Sequence, residues 1–487
     1  MTSDFVPGLW SHLGFKPVVL STDALIFLLI AVCLLGAWHI LRRPHLMLPW
    51  RRVARNSTGM VALFVLSLFI GVGLLDSLHY RAALPEKGNG QTAYSQEVMS
   101  VFDVLVRGLR THTEKTYSAP LTAHLYAKES MEAPDGKVTR DYPRLKFGGA
   151  HLADPERELA GDVAKRGLTG AAAGLLTGAL LVASVTAFPR RRRGLDQEAA
   201  PNGSVPARAE MAGAGPRRAL LITALLAAAT IGAIASLAAA YHVLGTDKVG
   251  QDVLYLSLKS IRTGLVIGTV TTLVMLPFAL LLGVAAGYLR GWVDDAIQYL
   301  YTVLNSIPGV LLIAAAVLMI QVVIDMHADW FATSAERADV RLLALCMILG
   351  VTNWTGLCRL LRGEALKLRE LEYIQAAQAF GVSSLRIMTR HIVPNVMHIV
   401  LISVVMDFSG LVLAEAVLSY VGVGVDPTTI SFGNMINAAR LEMGREPMVW
   451  WSLASAFVFM LLLVLAANLF ADAVRDGFDP RLNRTEG

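Results

Sequence analysis

Few residues in this 487-residue chain have types and spacings suited to covalent chemistry. His391 and His398 stand seven apart near the membrane surface, where a metal role is not expected, and no HExxH pattern is present. No Ser-His-Asp or Cys-His arrangement is legible either. Cys33, Cys346 and Cys358 lie in apolar stretches without CxxC spacing and read as small buried residues. Gly136-Lys137 lacks the upstream glycine of a GxxxxGK[ST] phosphate-binding loop, so ATP binding in the usual way is not expected. Catalytic and metal-ligating residues are therefore expected to be absent. What remains are polar groups inside apolar stretches: Asn305, Ser306, Asp407, Ser409 and Glu415, with Pro308 beside the first two. Hydrocarbon penalises such groups unless they face protein or water, so they mark a polar path or hydrogen bonds between helices. Asn305, Ser306 and Asp407 are the candidates for a substrate path. Asp407 and Glu415, eight apart, are expected roughly on one helix face.

The elements that must position these residues are membrane spans. The chain is 54% hydrophobic, above the level of ordinary soluble domains, and the excess is blocked. A span needs about 20 apolar residues to cross about 30 Å of hydrocarbon. Nine blocks meet this: Ala24 to Leu41, Gly59 to Leu75, Gly167 to Phe188, Ala219 to Tyr241, Gly264 to Leu289, Leu300 to Ile324, Leu342 to Cys358, Val396 to Tyr420 and Val449 to Ala471. The fold class is an all-α polytopic membrane protein with about nine transmembrane helices. Basic runs at Arg42 to Arg55, Arg190 to Arg193, Arg359 to Arg390 and Arg475 to Arg484 fall on one side if the N-terminus is outside and the C-terminus cytoplasmic. They are a topology signal rather than a nucleic-acid surface, and the lipid bilayer is the expected partner. The first 20 residues lack a secretory signal pattern, so the first span is expected to stay as an anchor.

Two hydrophilic stretches divide the chain into 1–76 with two spans, an extracytoplasmic insertion at 77–166, an extra hairpin at 167–243 with a flexible linker at 189–218, and a core at 244–487. The most basic connection in that core, 363–395, carries the most informative pattern. Residues Glu364 to Phe380 are helix formers free of Gly and Pro. Gly381 can end that helix in a left-handed cap, and Ser383 or Ser384 can cap a second short helix with its hydroxyl. Pro394 marks the exit into the next span. Ala376 and Ala377 leave the resulting elbow a smooth face that another protein's groove can approach.

This elbow resembles the EAA loop of importer permeases of the ATP-binding cassette class. Ala376, Ala377, Gly381 and Pro394 match its spacing, while Gln375, His391 and Val393 depart from the general pattern. Arg390, His391, Pro394 and Asn395 match the peptide-transporting branch. Gly245-Thr246-Asp247, Gly250 and Asp252 look like the GTDxxGRDV signature of the peptide/nickel permeases, with Gln251 in place of Arg. Glu415 to Gly424 looks like its ExxLSFLGLG segment, and Asn468 to Arg481 resembles its C-terminal signature. The resemblance covers 244 to 484. Either 51 to 75 or the span before Gly245 stands for the family's first span.

The resemblance implies a type I importer permease core in a bacterial cytoplasmic (inner) membrane. Its expected function is to carry peptides or related small solutes with a second permease subunit, two ATP-binding cassette ATPases and an extracytoplasmic solute-binding protein. It implies coupling through Glu372, Gln375, Ala376, Ala377, Gly381, Arg390 and Pro394, and an outer-face motif of Gly245, Thr246, Asp247, Gly250 and Asp252. No cofactor is expected on this chain, since ATP and Mg belong to the ATPases. The alternative is a secondary transporter or channel not driven by ATP, a class that favours paired intramembrane charges and inverted repeats.

Overall fold

The structure, a computed structural model, describes residues 15–84, 94–132, 138–196 and 214–478. Positions 197–213 of the linker, and Asp479, Pro480 and Arg481 of the C-terminal signature, lie outside the described residues.

Helices dominate because a chain crossing hydrocarbon must satisfy every backbone group within itself. In chain order they are α1 (Ser21–Leu41), α2 (Pro44–Val53), α3 (Ser57–Asp76), α4 (Val101–Leu105), α5 (Arg107–Thr111), α6 (Pro155–Asp196), α7 (Ala214–Ala238), α8 (Val253–Leu289), α9 (Trp292–Ser306), α10 (Gly309–Met326), α11 (Ser334–Arg369), α12 (Glu372–Ala379), α13 (Ser384–Ile387), α14 (Val393–Val421), α15 (Phe432–Glu442) and α16 (Trp451–Phe478). Among the described residues, nine helical stretches are long and apolar enough to cross a membrane. They fall in α1, α3, α6, α7, α8, α10, α11, the run Ser384–Val421 and α16.

Three boundaries differ from the sequence expectation. The block Leu300 to Ile324 is not one span: α9 ends at Ser306, Ile307 is extended, and the span begins at Gly309. Pro308 explains this, since its ring disfavours helix at the residue before it and it starts the next helix instead. The short block Leu342 to Cys358 is the middle of the 36-residue α11, whose ends are polar and so escaped hydropathy. The helix formers Glu364 to Phe380 are broken at Glu370 and Leu371, where Leu371 turns extended.

The chain divides into two compact units. One comprises Met1–Pro44, Ile70–Val104 and Lys259–Asn437. It contains an antiparallel sheet of β1 (Phe15–Val18), β2 (His79–Ala82) and β3 (Met99–Ser100), in which Phe15 pairs with Ala82 and His79 with Ser100. Its interior holds one apolar cluster around Ala279, Cys358, Leu361, Ile374, Ile387 and Ile392 and another around Val266, Ile267, Leu345, Cys346 and Leu349. Cys346 and Cys358 are buried as expected, but Cys33 is exposed on α1, where a thiol on an apolar helix can face lipid.

A charged network also lies inside this unit. Arg262 of α8 donates to Asp23 of α1 at 2.6 Å and lies 3.9 Å from Asp339 of α11. Asp339 takes the backbone N–H and the hydroxyl of Thr22, and His79 lies 2.8 Å from Asp23. Asp23 and Thr22 have no exposed surface. The first helix is therefore tied to the core by buried ions.

The other unit comprises His45–Phe69, Leu105–Leu258 and Ala438–Gly487. Here α6 and α7 form a close hairpin, since a side chain on Gly170, Gly174 or Gly232 would collide with the facing helix. A two-stranded ribbon, β4 (Glu129–Glu132) with β5 (Val138–Asp141), belongs to the same unit.

Candidate functional site

The elbow at 370–395 is built on buried isoleucines. Ile374, Ile387 and Ile392 have no exposed surface and join the apolar cluster that includes Leu361 and Ala365 of α11. This seating orients α12 and α13. The joint between them is a Schellman cap. Gly381 sits at φ +74°, its N–H donates to Gln378 O at 2.9 Å, and the Val382 N–H donates to Ala377 O at 3.1 Å. Ala377 and Val382 both pack on the cluster, the apolar contact that accompanies this cap. The left-handed cap at Gly381 is thus present. The serine cap is not: Ser383 takes the N-cap position without a side-chain hydrogen bond.

Pro394 does not end a helix. A π turn at Met388–Ile392 runs straight into α14, with the Val393 N–H reaching back to Met388 O. The widened turn accommodates a residue that lacks an N–H. Asn395 completes it, donating its side-chain N–H to His391 O at 2.7 Å and to the Tyr373 hydroxyl at 3.1 Å.

The remaining residues proposed for coupling occupy distinct places on the elbow. Gln375 donates to Glu370 O at 3.2 Å and so covers a carbonyl freed at the break after α11. Glu372, Ala376 and Arg390 are exposed, and Ala377 is half-buried. Two large apolar side chains point away from the cluster: Phe380 is 87% exposed and Leu385 69%. Sequence reasoning missed both, although an aromatic beside the cap glycine was visible. Flanking ion pairs brace the base. Arg362 meets Asp294 through two bonds of 2.6 and 2.7 Å, and this pairing holds the Asp294 carboxyl below its ordinary range.

The motif at Gly245 is committed to structure. Thr246 donates to Thr116 O and accepts the Ser118 N–H at 2.6 Å. Asp247 accepts the N–H groups of Val249 and Gln251, forming a tight turn, and burial nevertheless pushes its carboxyl up. Gly250, at φ +78°, lies against the Glu114 backbone with no room for a Cβ. Asp252 caps α8 by accepting the Leu254 N–H at 2.8 Å. Gln251 is exposed at the position where Arg is usual, and Trp451 donates to Thr246 O at 3.0 Å.

Several partners of this motif come from the inserted segment, joined by His242 at the end of the hairpin. Glu114 accepts the N–H groups of Lys146, Phe147 and Gly148, and His242 bridges Asp252 at 2.8 Å and Glu114 at 3.4 Å. Burial opposes the charged forms, but His242 and the three N–H groups hold Glu114 at about 2. Likewise burial opposes His242 protonation, and Asp252 and Glu114 overcome it, lifting His242 to about 9. Since its ordinary value is 6.5, the stabilisation from protonated His242 is full below pH 6.5 and is lost as pH rises through about 9. Glu114→Gln should lower melting of the detergent-solubilised protein by several degrees at pH 7, and His242→Gln should flatten the fall in melting temperature between pH 7 and 10. An unchanged slope in the His242 variant would contradict this latch.

Of the path candidates, Asn305 accepts the Thr355 hydroxyl at 3.1 Å and Ser306 donates to Val303 O at 2.7 Å, both at the break between α9 and α10. Asp407 lies mid-way along α14. Glu415 is turned inward, accepting from Ser419 at 2.7 Å and Ser431 at 2.9 Å at 1% exposure. Eight residues rotate a helix about 80° past two full turns, so Asp407 and Glu415 do not share a setting.

Residues 279–484 match the family model described as "Binding-protein-dependent transport system inner membrane component". The oligopeptide transport system permease protein OppC of Mycobacterium tuberculosis (strain ATCC 25618 / H37Rv) is 32% identical over 239 residues, 49% of this chain and 76% of the relative. The chain belongs to this family of inner membrane transport components. The glutathione transport system permease protein GsiD of Pectobacterium atrosepticum is 32% identical over 50% of this chain and 73% of its own length. The dipeptide transport system permease protein DppC of Bacillus subtilis (strain 168) is 27% identical over 50% and 70%. A chain from inward-facing structures of the MetNI methionine ABC transporter aligns over 46% of this chain at 17% identity and a TM-score of 0.36, too distant to carry an argument. This family member is a multi-pass membrane permease component, and the reading as a transporter or channel independent of ATP is not favoured.

Proposed function

We propose that this chain is one of two permease subunits of an ATP-driven, binding-protein-dependent importer of peptides or related small solutes in the bacterial cytoplasmic membrane. Two cassette ATPases seat on the elbow through Glu372, Gln375, Ala376, Ala377, Gly381 and Arg390, with Pro394 holding its exit. ATP and Mg are bound by those subunits and no cofactor by this chain. A solute-binding protein delivers from outside, where the N-terminus lies, and Asn305, Ser306 and Asp407 belong to the path. The observation that carries this reading is the elbow: two short helices on a rigid apolar seat, joined at Gly381 and presenting Phe380 and Leu385 outward. The supporting likeness is to permeases whose names specify oligopeptides, dipeptides and glutathione. Reconstituted with its ATPases, second permease and binding protein, the chain should take up a short peptide only with hydrolysable ATP. Uptake without ATP would overturn it.

Orientation has its own test. Cysteines at positions 3 and 485, both outside the described residues, should label from outside sealed cells at position 3 alone. Labelling at both positions, or at 485 alone, would contradict this orientation. We further infer that α3 is the family's first span. Its Gly59 packs against Ala473 of α16 and its Gly73 against Leu265 of α8, whereas α7 packs chiefly on α6.

A further inference from the structure

Asp407 is a carboxylate placed where a membrane protein has most reason to avoid one. It stands fourteen residues from each end of α14, about 21 Å along the axis either way, and so near the middle of a span. It is half-buried, and no hydrogen bond or ion pair joins it to another described residue. Its neighbours fix its direction. Phe408 fills the space left by Gly268 of α8, and Ser409, Leu411 and Val412 are buried, so α14 cannot rotate freely. On the opposite side Met406, Gly410, Leu413 and Val417 form an exposed stripe at helical spacing, with Asp407 on its edge. Gly410 lies one turn on, and a side chain built there would meet nothing within 4 Å. The carboxylate therefore borders open space at mid-membrane depth.

Hydrocarbon does not fill such a space beside an ion cheaply. Resting on the reading of the chain as an importer permease, we propose that Asp407 is the charge-selective group of the pathway, receiving a solute's cationic ammonium group midway across the membrane. The chemistry matches solutes with a free amino terminus or amine. A fixed carboxylate lowers the energy of a passing cation and raises that of an anion, and low surrounding polarity enlarges both effects. Met406, Leu413 and Val417 supply an apolar wall that tolerates variable side chains.

The test uses the assembled transporter in vesicles, with Cys33 replaced by Ser and single cysteines introduced as Gly410→Cys or Ser403→Cys. Labelling rates are compared for an ethylammonium thiosulfonate and a sulfonatoethyl thiosulfonate. The cationic reagent should react about tenfold faster at either position, and Asp407→Asn should abolish that preference while Asp407→Glu keeps it. Two cysteines that react with neither reagent would place the face against lipid or protein and overturn the proposal. A preference that survives Asp407→Asn would overturn it as well. ATP-driven uptake in the same vesicles reports separately on the importer reading.

Discussion

Gly381→Trp should abolish most transport, more than tenfold, while the protein still reaches the membrane in normal amount. The backbone at Gly381 is left-handed, a conformation that costs an L-residue about 1–2 kcal/mol. Nothing lies within 4 Å of a Cβ at this position, so the indole has room within this chain. The damage is therefore specific. The two bonds of the cap, Gly381 to Gln378 and Val382 to Ala377, are strained, and the angle between α12 and α13 changes. The indole also projects beside Phe380 on the face proposed for the ATPase. Gly381→Ala separates the two effects, since it brings the strain without the bulk and should lose only part of the activity. Solute-coupled ATP hydrolysis, measured beside membrane abundance, checks both variants. Wild-type transport by Gly381→Trp would remove the elbow from the mechanism.

Removing Arg262 should cost its unit several kcal/mol of stability, on the order of 3–5. The guanidinium serves Asp23 and Asp339 at once, and both carboxylates lie buried at the end of α1. Breaking a buried ion network by deleting one partner leaves uncompensated charge, typically about 3–5 kcal/mol. Arg262→Ala should therefore lower the melting temperature in detergent by about 10 °C and render the start of α1, where Thr22 and Asp23 lie, sensitive to protease. Replacing Arg262, Asp23 and Asp339 together by Leu removes the stranded charges and should restore much of the stability. If the single variant melts as wild type does, the network is not what ties α1 to the core.

The two predictions draw on features that differed in legibility. The elbow was readable because its spacing reports backbone geometry: a cap needs a glycine at one position, and Gly381 occupies it with positive φ. The spans were readable because hydropathy integrates over many residues, although polar helix ends such as those of α11 lie beyond its reach. Asp23, Arg262 and Asp339 went unnoticed because each stands just outside an apolar block, where a charge looks like the edge of a span. Only three-dimensional packing makes them one network. Likewise Glu114 and His242 are 128 positions apart, and no local pattern could pair them with Asp252. Pro394 misled for the opposite reason, since the rule that proline ends a helix omits the π turn that absorbs it.

The insertion also looks different once its contacts are known. Segment 114–148 supplies Thr116 O and the Ser118 N–H to Thr246, and Glu114, itself held by three N–H groups, to His242 beside Asp252, so deleting residues 90–150 would leave those buried polar groups unmet.

The central claim is that the elbow receives a separate ATPase, and a photoreactive residue at position 380 tests it most directly. Phe380 is 87% exposed, so a benzoylphenylalanine there disturbs no packing within the chain. On irradiation in membranes containing the whole transporter, the account predicts a cross-link to a protein that binds and hydrolyses ATP, with a yield that changes between the nucleotide-free and ATP-bound states. A cross-link to lipid alone, with the assembled complex verified in the same sample, would contradict it.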